Sequence, residues 1–362
     1  MNKMDENLVS MHNEQCSITI DKLGGGIVDF HLREQGVNPL NFNFLHQSKY
    51  HDDLYFKGHF LCLGRWGDPS PGELAAGLNK HGEFLKLKWK AVKEDNTINM
   101  SASSKLEGLS IERKMELSKQ SPCFKIIEKV RNDNVLGRMY NMVQHPTIAN
   151  PFLNEETIVE CNATLGFDYA ADRYDDSFAT LWPLVQIKNG AHIKLDKPDQ
   201  SYSSIFCFIV NPKEEYGWIT AWSPIHNTLL GYIWKRSDYP WINHWLHWEA
   251  AAGNNQSLSI AGNNSPEKLL YRGLEFGATG IHKPFNEILV KNLLNVLGES
   301  SLCMIDAGEE HIRSFYSFMY AIPSGFKGVQ NVSFNPEDIS VFEKETDAKI
   351  NIPHTFNSPH EF

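Results

Sequence analysis

Two residues far apart in the chain have the chemistry of a proton-transfer pair. Glu275 lies between Leu274 and Phe276 in YRGLEFGATGIHKPF, Tyr271 to Phe285. A carboxylate with apolar neighbours on both sides is costly unless it is paired or put to use. Desolvation raises its pKa, the direction a general base working near neutral pH requires. The glycine-rich FGATG that follows lets backbone or ligand come close. His145, in YNMVQHPTIANPFL, precedes Pro146, which biases it toward extended geometry and places it at a strand end or turn. An imidazole there can exchange protons near neutrality. Each residue also has a structural reading, Glu275 as the partner of Arg272 or Arg65 and His145 as a packed turn residue.

Two further segments gather polar and aromatic groups. LGRWGDPSPGELAAGLNKHGEF, Leu63 to Phe84, contains too much Gly and Pro for a long regular element and reads as a functional loop excursion. Its Arg65 and His81 carry donors suited to an oxygen-rich ligand. YPWINHWLHWEAA, Tyr239 to Ala251, read as a strand, puts Trp241, Asn243, Trp245 and His247 on one face and Ile242, His244, Leu246 and Trp248 on the other. Flat rings beside an amide and an imidazole suit a sugar, whose C–H faces are apolar and whose edge carries hydroxyls. His244 and His247 do not have the H-E-x-x-H spacing, and no third ligand is evident, so no metal site is expected.

The elements that must position these residues are mostly strands. Short alternating or apolar β segments recur along the chain, separated by Gly, Asn, Asp, Pro and Ser clusters. Examples are CSITI at 16–20, LKLKWKAV at 85–92, TINMSAS at 97–103, LSIERKMELS at 109–118 and CFKIIEKVRN at 123–132. In LSIERKMEL the alternation puts the cation of Arg113 in an apolar row with Leu109, Ile111, Met115 and Leu117. Later candidates are SSIFCFIV at 203–210, GWITAWS at 217–223, TLLGYIW at 228–234 and SLCMIDAG at 301–308. EEHIRSFYSFM at 309–319 fits a short helix or a strand. The tail alternates as well, with turn residues at Asn335 to Asp338, and predicts closing strands before a frayed NSPHEF end. With no repeat and no long linker, residues 1–362 read as one all-β domain with its core at about 16–350, a large antiparallel sandwich with few short helices.

Composition narrows the partners. The formal net charge is −10, a field that repels phosphate backbones and anionic lipid, so neither nucleic acid nor membrane is expected. No stretch reaches 18 uninterrupted apolar residues and the first twenty residues lack a signal-peptide pattern, which predicts a cytoplasmic protein. The six scattered cysteines form no C-x-x-C pair and read as small buried hydrophobes.

Taken in order, the Arg65 to His81 loop, the His145 segment and LEFGATG resemble the galactose mutarotase-like superfamily, which includes aldose 1-epimerase. The similarity runs from about Cys16 to Ile350, and GGGIVDFHLREQGVNPL resembles the family's opening. The resemblance implies a supersandwich of antiparallel sheets with a concave sugar-binding groove and no cofactor. It implies Glu275 and His145 as the catalytic base and acid of anomer interconversion, with Arg65 and His81 holding sugar oxygens. Trp245 would add a stacking face, and Asp238, Asn243 and His247 are the candidates for a further residue binding sugar hydroxyls. The alternatives are a non-catalytic carbohydrate-binding protein of this fold, or an isomerase or lyase acting on an acidic or phosphorylated sugar, which Arg65 with Arg272 or Lys283 at the site would favour.

Overall fold

The computed structural model describes residues 5–46, 53–198, 202–249 and 269–356. The alternation read in the sequence forms strands. Along Leu109–Leu117 every second residue is buried, and Arg113 does stand in that apolar row. Its cation is compensated from the neighbouring strand, Cys123–Asn132, where Glu128 is its cross-strand partner. Arg113 Nε donates to Glu128 Oε1 at 2.7 Å, and the guanidinium lies over the Trp89 ring at 4.7 Å.

Among the described residues, the strands assemble chiefly into a twelve-stranded and an eight-stranded antiparallel sheet. The main core fills the space between them with inward residues such as Ile18, Phe30, Ile111, Ile126, Met142 and Ile242. A three-stranded sheet of Val329–Phe334, Asp338–Glu343 and Lys349–Pro353 covers the far face of the eight-stranded sheet over Trp218, Trp222, Ile233 and Tyr316. The predicted tail strands and their turn are therefore present, while NSPHEF at 357–362 lies outside the described residues.

The ambiguous 309–319 segment is a strand, Glu310–Ala321. It pairs on both sides inside the eight-stranded sheet, and its buried run from Ser314 to Met319 shows no alternation because both of its faces are covered. Two expected strands are shorter than read: 85–92 becomes strand only at Lys90–Glu94, and 301–308 only at Cys303–Ile305. Among the described residues, α-helix is limited to the short Pro71–Ala75 and Phe285–Val290, the first closed by a capping box between Ser70 and Glu73.

Candidate active site

The site lies on the face of the twelve-stranded sheet turned away from the main core. Its central strand, Arg138–Ala149, pairs with His59–Gly64 on one side and with Leu269–Gly273 and Glu275–Gly277 on the other. Period-two geometry sends neighbouring side chains to opposite faces. Gln144 points into the core, where its amide donates to Tyr239 Oη at 3.1 Å and its carbonyl oxygen meets His59 Nε2 at 3.1 Å. His145 points outward, its ring stacked on Phe60 with centroids 4.1 Å apart. At Leu274 the pairing strand breaks and resumes at Glu275, whose register partner on the other side is Asn243. Gly273, beside the break, is needed as glycine because a Cβ there would lie 2.7 Å from Glu275 Oε1.

Glu275 and His145, 130 positions apart, are in contact. His145 Nε2 lies 3.1 Å from Glu275 Oε1, with the two side chains 6% and 1% exposed. The other carboxyl oxygen, Oε2, accepts from Trp66 Nε1–H at 3.0 Å. His145 Nδ1 is 2.9 Å from Thr147 Oγ1, whose own hydroxyl is oriented toward the His145 carbonyl at 3.4 Å. This arrangement makes Oγ1 the acceptor of Nδ1–H and leaves the Nε2 lone pair facing the acid. Burial pushes the Glu275 carboxyl well above its usual range, against the opposing effect of the Trp66 N–H. Burial likewise holds His145 well below the ordinary imidazole value. The low-dielectric surroundings thus favour a pair with one proton and no net charge.

Around this pair is a cavity of about 110 Å³, open on one side. Its walls are mainly aromatic, formed by Phe42, Phe44, Phe56, Phe60, Trp66 and Trp245. Its polar lining is His46, Lys80, His81, His145, Glu275 and His282. His81 takes a positive φ of 62° in the loop, and its Nδ1 accepts from Gly67 N–H at 3.1 Å, so its Nε2 carries the proton. The His81 ring centroid is 5.9 Å from that of His145 and 5.7 Å from that of His282. His282 meets Trp66 edge to face at 4.8 Å, and burial followed by the charge of Lys80 pushes its imidazole down to about 3. Among the described residues, no group of three or more His, Cys, Asp or Glu side chains is placed to hold a metal ion.

Of the residues singled out in the sequence, the structure brings Glu275, His145, His81 and Trp245 to this cavity. Arg65 does not line it. The Arg65 guanidinium is buried against Phe285, 4.1 Å from the ring centroid, and is ion-paired with Glu73. Neighbours on a chain face opposite ways, and it is Trp66 that reaches the acid. Asn243 sits beside Glu275 beneath the cavity wall and donates to the Thr279 carbonyl at 3.1 Å. His247 lies beyond Trp245, stacked on it with centroids 5.4 Å apart, and is not part of the lining. Asp238 accepts from Ser314 N–H at 3.1 Å and is also absent from the lining. Arg272 is buried with one N–H donated to the Leu195 carbonyl, and Lys283 pairs with Asp172 at 2.9 Å. The sequence reading missed Trp66, Lys80, His46 and His282. The aromatic alternation of NFNF, 41–44, and the adjacency of Lys80 to His81 were the available signals.

Neither a protein-family model nor a curated protein matches the sequence. Solved structures do. A candidate aldose 1-epimerase from Klebsiella pneumoniae superposes with a TM-score of 0.58 at 12% identity, over 88% of this chain and 80% of that one. A galactose mutarotase-like protein from Clostridium acetobutylicum gives 0.54 at 13% identity over 87% and 95% of the two chains. Another from Lactobacillus casei gives 0.53 at 11% over 86% and 100%. The fold is that of the galactose mutarotase-like proteins. In this mutarotase-like fold no helix among the described residues is long and apolar enough to cross a membrane.

Proposed function

We propose that the protein interconverts the α and β anomers of an aldose, with Glu275 and His145 as its acid/base pair. The observation that carries this reading is the 3.1 Å contact between the two groups at the wall of an aromatic cavity. The C1 hydroxyl and the ring oxygen of an aldopyranose are bonded to the same carbon, so the groups serving them must be neighbours. A pair that holds one proton offers a base and an acid together. In the productive arrangement the proton rests on His145 and Glu275 is the carboxylate, one transfer across the existing contact away from the resting form. Glu275 takes the proton of the C1 hydroxyl, His145 gives one to the ring oxygen, and the bond from C1 to the ring oxygen breaks to leave an open-chain aldehyde. Rotation about the bond between C1 and C2 presents the other carbonyl face. Reclosure with the proton transfers reversed gives the inverted anomer and restores the pair.

His81 Nε2–H is a donor for a sugar oxygen, and Trp245 with the phenylalanines provides apolar surface for the C–H face of the ring. The descriptions of the similar structures as mutarotase-like support the same assignment. Exchange NMR or polarimetry on a panel of aldoses tests it. Acceleration of anomer exchange is expected in the wild type. Glu275→Gln is expected to lose about 10²–10⁴-fold in rate while staying folded, and equal rates in both would overturn the assignment. Binding without acceleration would instead identify a carbohydrate-binding module.

A further inference from the structure

We infer that the aldose this cavity takes carries a carboxylate on its exocyclic carbon, a hexuronic acid, and that Lys80 is the residue selecting it; this rests on the sugar reading of the site.

Lys80 stands in the cavity lining among aromatic rings and imidazoles. Glu275 accepts from Trp66 and contacts His145, and its remaining acceptor capacity serves the C1 hydroxyl. His81 presents a donor, because its other nitrogen accepts from Gly67. Lys80 offers only donors, and the neutral imidazoles of His46 and His282 each offer one donor and one acceptor. Among the described residues the lining includes no Asp, Asn, Gln, Ser, Thr or Tyr. A neutral hexose carries a hydroxyl on every oxygen but that of the ring and brings no charge to set against the Lys80 ammonium. A carboxylate on the exocyclic carbon replaces one hydroxyl by acceptors that carry the opposite charge, which is what Lys80 matches.

The charge is available for that task. The described partner of Lys80 is Asp68, 3.5 Å away with its side chain 69% exposed, a water-screened pair of small strength. Burial foremost, with the nearby Lys80 ammonium adding to it, depresses the imidazoles of His46, His81, His145 and His282. One ammonium balances a monoanion. A phosphate dianion would keep excess charge among phenylalanines, and the guanidinium that could clamp it, Arg65, is turned away onto Glu73.

Calorimetric titration and exchange NMR with a hexuronate, the parent hexose and the hexose 6-phosphate test the assignment. The hexuronate is expected to bind roughly tenfold or more tightly than the hexose, as a charge-assisted hydrogen bond allows. Lys80→Met should lower the hexuronate-to-hexose affinity ratio about tenfold, and Lys80→Arg should hold it within about threefold. Lys80 is partly exposed, and a thermal melt verifies that each variant is folded. Equal affinities in the wild type, a ratio unmoved in Lys80→Met, or preference for the phosphate would overturn the inference. Calorimetry reads binding whether or not turnover occurs. Acceleration of hexose exchange without hexuronate preference would sink the role of Lys80 and leave the proposed function standing.

Discussion

Glu128 and Glu275 are both buried carboxylates at 1% exposure, in the two sheets of one sandwich, yet their surroundings differ in kind. Glu128 faces the guanidinium of Arg113 across a strand pair, and its second oxygen accepts from the Gln144 amide. Gln144 in turn reaches His59 and Tyr239. This network joins the eight-stranded sheet to the strand that carries His145. Glu275, on the opposite face of the same sheet region, has an indole N–H and a neutral imidazole but no cation within ion-pairing reach among the described residues. A compensated charge locks structure, whereas an uncompensated carboxyl keeps its proton and can trade it. Burial alone therefore does not separate the two roles; the presence or absence of an opposing charge does.

The largest effect that tests this contrast is on stability. Glu128→Gln leaves Arg113 buried without its counterion, and the expected loss is about 3–5 kcal/mol in urea unfolding. Glu275→Gln removes no counterion and is expected to cost far less. Similar losses in the two variants would erase the distinction.

The next effect is in pH dependence. The folded-state pKa of Glu275 is raised by burial, so the native protein holds a proton that the unfolded chain releases above about pH 4.5. Stability contributed by this group is therefore fully present below that value and is lost as pH rises toward the folded pKa, at up to about 1.4 kcal/mol per pH unit. Glu275→Gln should remove that downward slope. The buried histidines act in the other direction, since their lowered pKa values penalise the fold as pH falls below about 6.5. Denaturation series at pH 5 to 8 on both proteins separate the two, and parallel curves would show that Glu275 is ionised when folded.

The smallest effect sharpens the catalytic side. Thr147→Val deletes the acceptor that fixes the His145 tautomer. Exchange should slow about fivefold, as loss of one hydrogen bond worth about 1 kcal/mol implies, with KM little changed. Thr147→Ser should restore most of the rate. A KM effect without a rate effect would mean that Thr147 only packs.

Much of the frame was legible in sequence because it depends on neighbours in the chain. The split of Trp241 to Trp248 into a core face with Ile242 and Leu246 and an outer face with Trp241 and Trp245 follows from period two alone. The cost of Glu275 between Leu274 and Phe276 was visible locally too. The failures came from orientation and distance. Arg65 reads as a donor for an oxygen-rich ligand, yet its neighbour Trp66 is the residue that meets the acid while Arg65 turns to Glu73. Phe42, Phe44, Phe56 and Phe60 line the cavity through hairpin and sheet pairings that no local pattern specifies. In the 309–319 segment, burial on both faces removed the periodicity on which the reading relied.

Gly273 gives the acid its room by lacking a methyl group, since the space a Cβ would fill is occupied by Glu275 Oε1. The alignment of the proton pair is therefore controlled by a position that has no functional group at all. One added carbon would press on the carboxyl and on Trp245 Cβ, tilting the acid off the imidazole while leaving every charge in place. The chemistry here is set as much by an empty volume as by the two groups that bound it.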